Sequence, residues 1–486
     1  MVVVVTGAVA AVVVTGAVVV VVEIAVAVVA TTKTKSVHTC ETKEGALRLR
    51  RPLSFLIRCM LTKSTLRPLE TEVSMFKKTI LDSGVRVVTE RIPSVRSLAV
   101  GIWVEVGSRD ERDEEMGISH FIEHAVFRGT KRRRTHNIAQ FMESVGGYLN
   151  AFTSKEQTCY LARCLDEHLP RALDVLSDLV LEPTFPAKEI EREKDVVLEE
   201  IRMYADNPED VVFDVYEEQM YANHPLGRPI IGVPETVQSF TPGQLSQYID
   251  QHYTPDRIVV AAAGNLEHEH VLDLIQAAFA KSGRMPNPHR RSPVESYTPS
   301  AIQQAKSIQQ AHVVMGTPSY DLHHPNRTAL SVLNTILGGG MSSRLNQNVR
   351  EKYGYCYNIY SFVNFQQDSG DFGIYMGTDP SKVERAKTVV LRELEKLTEK
   401  PVSKRMLNMA KNQVKGALMM GLESLNNRMN RIAKQEIYYN RYFSLDEVTR
   451  FIDEVDEAKV QEVAQELFVP ERFSHTVISP KPGVEA

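Results

Sequence analysis

Two histidines and a glutamate fall within five residues, His120, Glu123 and His124, in the stretch MGISHFIEHAVFRGTK at 116–131. On a helix, offsets of three and four bring side chains onto one face, so two imidazoles and a carboxylate converge on a volume that suits one metal ion. Neutral imidazole is a good zinc ligand, and a catalytic zinc site needs three protein ligands and an open position for water. Glu123 lies beside both histidines and is better placed to take a proton from that water than to bind the metal. The pattern is HxxEH, the reverse of HExxH.

A third ligand has to come from elsewhere. The acidic stretch EIEREKDVVLEEIRMY, 189–204, reads as part of a helix from Ala187 to Tyr204, with Ile190, Val197 and Ile201 at helical spacing. Glu193 and Glu200 stand seven residues apart, two turns along one face. One carboxylate there would complete a His-His-Glu set while another orients a ligand or the water from behind. Spacing alone does not choose among Glu193, Glu199 and Glu200.

The elements around these residues alternate between the two periodicities. Residues 78–81 and 85–88 read as a hairpin across a turn containing Gly84, and Val100, Ile102, Val104 and Val106 alternate in a strand that ends at Gly107. The HxxEH helix follows, with Gly129 placed to stop it. Residues 144–161 read as two more extended segments, 257–263 as a strand and His270 to Lys281 as a helix.

Composition bounds the rest. A chain of 486 residues has room for two to four domains. Residues 75–486 hold 48 Lys/Arg against 56 Asp/Glu, an acidic body that argues against nucleic acid as a partner and fits cationic peptides or metal ions. Five cysteines without a CxxC pattern favour a reducing compartment. Residues 1–30 are almost entirely Val, Ala, Gly and Thr; they are long and apolar enough for a membrane anchor, but their tandem repetition equally suits a start codon assigned too early. Residues 46–67 carry six basic and no acidic residues, the composition of an organelle-targeting segment. Met75 begins the first stretch with the texture of a folded protein. The expected division is therefore an extension at 1–74, a metal-binding domain at 75–285 and a second domain at 286–486, with Pro-rich 282–293 as linker.

Residues 76 to about 480 resemble the M16 family of zinc metallopeptidases, the pitrilysin, insulin-degrading enzyme and mitochondrial processing peptidase group, and within it the short, two-domain processing-peptidase type. The resemblance implies an α+β fold of two similar domains, each an antiparallel sheet covered on one side by helices, together forming half of a clamshell chamber. It implies zinc (Zn2+) held by His120, His124 and Glu200, with Glu123 as general base and Glu193 as supporting acid. Asn150 and Ala151, in LNAFTS, match the edge strand to which the family adds its peptide substrate. Asp210 and Asp214, ten and fourteen residues beyond Glu200, match acids that receive an arginine near the cleavage site; Asp210 also suits a helix start after Asn207, Pro208 and Glu209.

The second half repeats the order of elements. At an offset near 212 Val332, Thr335 and Ile336 stand opposite His120, Glu123 and His124, and near 216 Gly416 stands opposite Glu200, so this half is expected to hold no metal. Gly338 to Leu345, GGGMSSRL, lacks the GK[ST] of a P-loop, and the resemblance makes it a flexible loop near the peptide. Arg350 and Tyr357 match the family's substrate-contacting pair and could donate to a developing oxyanion.

These readings predict a zinc-dependent endopeptidase acting on unfolded peptides or precursor segments near basic residues. A homodimer is the simplest assembly, because one chain carries both residue sets. No nucleic acid is expected, and membrane contact only if residues 1–30 are an anchor. A bacterial-type cytoplasmic location is favoured over a membrane-anchored or mitochondrial one. The competing reading is a non-catalytic structural or partner subunit of a peptidase or respiratory complex; such chains usually lose ligands, and this one keeps all three.

Overall fold

The computed structural model describes residues 11–15, 18–22, 75–280, 283–287 and 290–481. The apolar stretch at 1–30 and the basic segment at 46–67 lie outside them, except for a hairpin of β1 (Ala11–Thr15) and β2 (Val18–Val22). Among the described residues no helix is long and apolar enough to cross a membrane.

Six strands form the first sheet: β3 (Phe76–Ile80), β4 (Arg86–Arg91), β5 (Ser97–Val104), β6 (Tyr148–Thr153), β7 (Thr158–Leu165) and β8 (Ile258–Gly264), in the order β3-β4-β8-β5-β7-β6. Five form the second: β9 (Ala301–Lys306), β10 (Ala311–Pro318), β11 (Cys356–Phe365), β12 (Gly370–Thr378) and β13 (Ser474–Pro480), in the order β11-β12-β10-β13-β9. Read from its β6 edge, the first sheet runs β6-β7-β5-β8-β4, so the second repeats it strand for strand and lacks only a counterpart of β3. The sheets are mixed rather than purely antiparallel: β4 pairs parallel with β8, and β13 with β9. Parallel neighbours need a long crossover, and here β8 returns only after the helical segments between Ile118 and His252, and β13 only after those between Arg327 and Leu467.

The first half supplies α1 (Ile118–Ala125), α2 (Thr135–Glu143), α3 (Leu169–Leu181), α4 (Ala187–Asp206), α5 (Pro208–Met220), α6 (Pro234–Ser239), α7 (Pro242–His252) and α8 (His268–Phe279). The second supplies α9 (Arg327–Gly338), α10 (Val383–Glu399), α11 (Lys404–Gly421), α12 (Leu425–Tyr439), α13 (Leu445–Asp453) and α14 (Glu457–Leu467), with one π-helical turn at Asn346–Glu351. The positions opposite the HxxEH residues lie on α9, where Val332 and Ile336 are buried in an apolar core.

Helices on one face of each sheet account for only part of the packing. Along β5, Leu98, Val100, Ile102 and Val104 face the core of their own half, while Ala99 and Trp103 face the other way. That second face is covered by Met429, Ile432 and Ala433 of α12, a helix from the other half of the chain. Its edges are fixed by Arg428 to Glu90 at 2.7 Å and Lys78 to Glu436 at 2.8 Å. The exchange is reciprocal, because Val212, Tyr216 and Met220 of α5 pack against Val314, Phe362, Tyr375 and Ile478 of the second sheet. Gly316 and Gly373 pair across β10 and β12 beneath α5, and a Cβ on Gly316 would stand 2.1 Å from the Tyr216 Oη. The bare backbone there lets Tyr216 reach Asp371, to which its hydroxyl donates at 3.0 Å. Strands apolar on both faces, such as β8 with IVVAAAG wholly buried, carry this two-sided burial in their sequence.

Candidate metal centre

The HxxEH residues are positioned by an unusually braced helix start. Gly117, at φ 89, offers α1 no side-chain cap. The carboxylate of Glu111 takes over, accepting the Gly117 N–H at 2.7 Å and the Ser119 N–H at 2.8 Å, so a buried acid sits where the helix presents unpaired donors. Burial pushes Glu111 up to about 8 against those two hydrogen bonds. Only glycine fits at 117, since a Cβ would come within 2.7 Å of Gly232 Cα. The helix runs on through a 3-10 turn, Val126–Arg128, and stops at Gly129, φ 153, as its sequence position predicted.

α4 brings its acids to the same place. His124 Nε2 lies 3.5 Å and His120 Nε2 3.9 Å from Glu200 Oε2, and one ligand atom from each residue falls within 4.8 Å of the others. A tetrahedral zinc shell has ligand atoms about 3.3 Å apart, so a small contraction would close this set around an ion. Among the described residues it is the one group that could hold a metal. The choice left open among three glutamates is a matter of helix rotation. Glu200 faces both imidazoles, the Glu193 side chain is 2 % exposed and meets His124, and Glu199 points outward, 74 % exposed and paired with Arg202.

Burial and mutual charge set the protonation of the donors. Burial, helped by neighbouring His124, pulls His120 down to about 3, so its imidazole is neutral, and among the described residues its buried Nδ1 has no hydrogen-bond partner. Burial also opposes charge on His124, but the hydrogen bond to Glu193 and the charges of Glu123, Glu193 and Glu200 outweigh it and raise this imidazole above its ordinary value. Glu193 is pushed up by burial and pulled down further by hydrogen bonds from His124 and Arg128, so it ends below the usual carboxylate range. Glu123 and Glu200 are both held above it by burial. Thr153 Oγ1, at the end of β6, donates to Glu123 Oε2 at 2.7 Å. Neutral His120, the pair of facing Nε2 atoms and one carboxylate fit zinc, which prefers nitrogen and oxygen donors in this His2Glu form.

The residues expected to meet substrate surround this cluster unevenly. Asn150 and Ala151 lie on β6, which among the described residues forms the edge of its sheet and pairs only with β7. Asp210 and Asp214 lie on α5. Asp210 accepts from Asn207 Nδ2 at 2.6 Å, so it shares in the helix start, although the capping oxygen is that of Asn207. Burial raises Asp210, and burial with nearby Glu217 pushes Asp214 up to about 6. Arg350 falls in the π-helical turn, and its guanidinium stands 5.8 Å from the ring centre of Tyr357 on β11. These two are brought together, but among the described residues no hydrogen bond or ion pair joins either to the metal cluster. Sequence reasoning missed Thr153, Glu111, Arg128 and Tyr204. Tyr204 is one turn beyond Glu200 and feels the charges of Glu200, Asp210, Asp214 and Glu123. Arg128 is likewise one turn beyond His124, a spacing that could have drawn attention to it.

Two mixed sheets in tandem, the first carrying an HxxEH helix that meets an acidic helix, define a metallopeptidase-like α+β protein. The family model described as Insulinase (Peptidase family M16) matches residues 86–233, and the Peptidase M16 inactive domain matches 239–414. The chain is 39 % identical over 408 residues to the uncharacterized zinc protease YmxG of Bacillus subtilis, covering 84 % of this chain and 98 % of that one. It is 40 % identical over 410 residues to the uncharacterized zinc protease Rv2782c of Mycobacterium tuberculosis, covering 83 % and 93 %. Among solved structures, a protease from Helicobacter pylori superposes with a TM-score of 0.78 at 22 % identity, covering 83 % of this chain and 99 % of that one. A peptidase M16 inactive domain from Pseudomonas fluorescens gives 0.79 at 20 %, covering 84 % and 98 %. The chain belongs to peptidase family M16.

Proposed function

We propose that this protein is a zinc-dependent endopeptidase cleaving unfolded peptides or precursor segments, with a preference near basic residues. The observation that carries the reading is the convergence of His120, His124 and Glu200 beside Glu123. Bound zinc would act as a Lewis acid, polarising a water and the scissile carbonyl. The substrate adds as a strand along the β6 edge at Asn150 and Ala151, where main-chain hydrogen bonds recognise an extended peptide without demanding a sequence. Glu123, with one oxygen held by Thr153, takes the water proton on the other and passes it to the leaving amine. Asp210 and Asp214 receive a basic side chain, and Arg350 with Tyr357 donates to the developing oxyanion.

Because, among the described residues, neither Arg350 nor Tyr357 bonds to the metal cluster of its own chain, a homodimer in which they serve the partner's site suits the reading. Buried, unpaired Cys159, Cys164 and Cys356 favour a reducing, cytoplasmic setting. The test is cleavage of an unstructured arginine-containing peptide by the full chain and its Glu123→Gln variant at equal zinc content. Losing the base should cost at least about a hundredfold in rate. Equal rates would sink the role of Glu123, and zinc binding without cleavage in both proteins would favour a non-catalytic partner subunit.

A further inference from the structure

Glu193 has two oxygens and two partners. Oε1 accepts from His124 Nδ1 at 2.9 Å, and Oε2 accepts from Arg128 Nε. Since a carboxylate only accepts, His124 must carry a proton on Nδ1, and in the neutral ring that leaves the Nε2 lone pair facing Glu200. The carboxylate that imposes this tautomer is buried, and among the described residues no hydrogen bond or ion pair beyond those of His124 and Arg128 holds it. Arg128 is the second restraint on its plane. Its own backbone is anchored, because Thr135 Oγ1 donates to the Arg128 carbonyl at 2.8 Å, and its side chain is only 30 % exposed. Among the described residues it is also the one Lys or Arg ion-paired to any of Glu123, Glu193 and Glu200.

We infer that Arg128 is a positioning residue of the metal centre, acting through Glu193 to fix the ring orientation and Nδ1–H tautomer of His124. With Arg128 in place both carboxylate oxygens are committed, and rotation of the Glu193 carboxylate would break two charge-assisted bonds at once. Without it the hydrogen bond to His124 is the only restraint, and the imidazole loses the pre-orientation that a ligand needs. The pair also ties the 3-10 turn that continues α1 to α4, and α1 and α4 must meet for His120, His124 and Glu200 to share one ion.

The inference rests on the zinc reading, so the test measures zinc affinity rather than cleavage. Zinc binding by the full chain is titrated against a chromophoric chelator for wild type, R128Q, E193Q and R128Q/E193Q. R128Q should weaken zinc about tenfold or more, the usual effect of losing a partner behind a ligand. The double variant should bind within about twofold of E193Q, because Arg128 acts through Glu193. R128K, which keeps the charge, carries the same cycle if R128Q does not fold, with an intermediate loss expected. Unchanged affinity in R128Q overturns the inference alone. Losses that multiply in the double variant mark a separate, structural role and overturn it too. A wild type that holds no zinc overturns the functional reading and this inference with it.

Discussion

Replacing Gly316 with alanine would test whether α5 is locked to the second sheet. The new Cβ would stand 2.1 Å from Tyr216 Oη and 2.5 Å from Cε2, against a normal carbon contact of roughly 3.5–4 Å. The ring therefore has to retreat by about 1 Å. It has little room, being fully buried with Phe362 edge-on at 5.8 Å. Overpacking of this kind costs about 1–3 kcal/mol. Retreat also takes the Tyr216 hydroxyl from Asp371, a buried carboxylate, for a further ~1 kcal/mol or more, at the low end because Tyr221 and Asn364 still donate to it. The expected loss is about 2–4 kcal/mol. Trp103, the single tryptophan, is fully buried in the first sheet, so its fluorescence during urea unfolding of the full chain reports on the other half. If the exchanged helices couple the halves, G316A should shift the Trp103 transition to lower urea, and in a Tyr216→Leu background the same change should cost under about 0.5 kcal/mol. An unmoved transition, or an equal cost in both backgrounds, would refute the argument.

Asp371 should make stability fall with rising pH. Burial and nearby Glu217 push it up to about 7 against its hydrogen bonds from Tyr221, Tyr216 and Asn364, so the folded state holds a proton that the unfolded chain releases near pH 4. Its contribution is complete below that pH and is lost as pH climbs to about 7, so the melting temperature of D371N minus that of wild type should rise between pH 5 and 8; a flat difference contradicts this. Thr153→Val should lower kcat about tenfold or more with zinc content unchanged, by freeing Glu123 Oε2, and an unaltered kcat would remove Thr153 from the machinery. Residues 75–285 and 286–486 expressed apart should each lack a cooperative unfolding transition and regain one when coexpressed, because each sheet would otherwise lose the helix on its second face; two independently folding halves would refute the exchange.

What was legible in the sequence follows from how local each cause is. HxxEH on a helix is set by spacing within one turn, and it converged as expected. Glu200 was recognisable by family likeness but not by physics, because a 20-residue acidic helix offers several glutamates, and only its rotation against α1 turns Glu199 away and Glu200 inward. The strands around Val100 and Ile258 were readable from apolar runs. Their second-face cover was not, because α12 lies more than a hundred residues downstream and nothing local names its partner. Arg128 and Thr153 were missed for the same reason, each meeting a glutamate at least thirty residues away in sequence.

The position of α12 in the chain also sets a delay during synthesis. The first sheet is complete in sequence at Gly264, yet the helix that covers Val88, Ala99, Trp103 and Ala261 begins at Leu425. At ribosomal speeds of roughly 5–20 residues per second, about ten to thirty seconds separate those two events. For that interval the apolar residues of this face lack their cover on every nascent chain. Slowing translation between codons 265 and 425 should therefore lower the yield of folded protein more than slowing it anywhere after Tyr439.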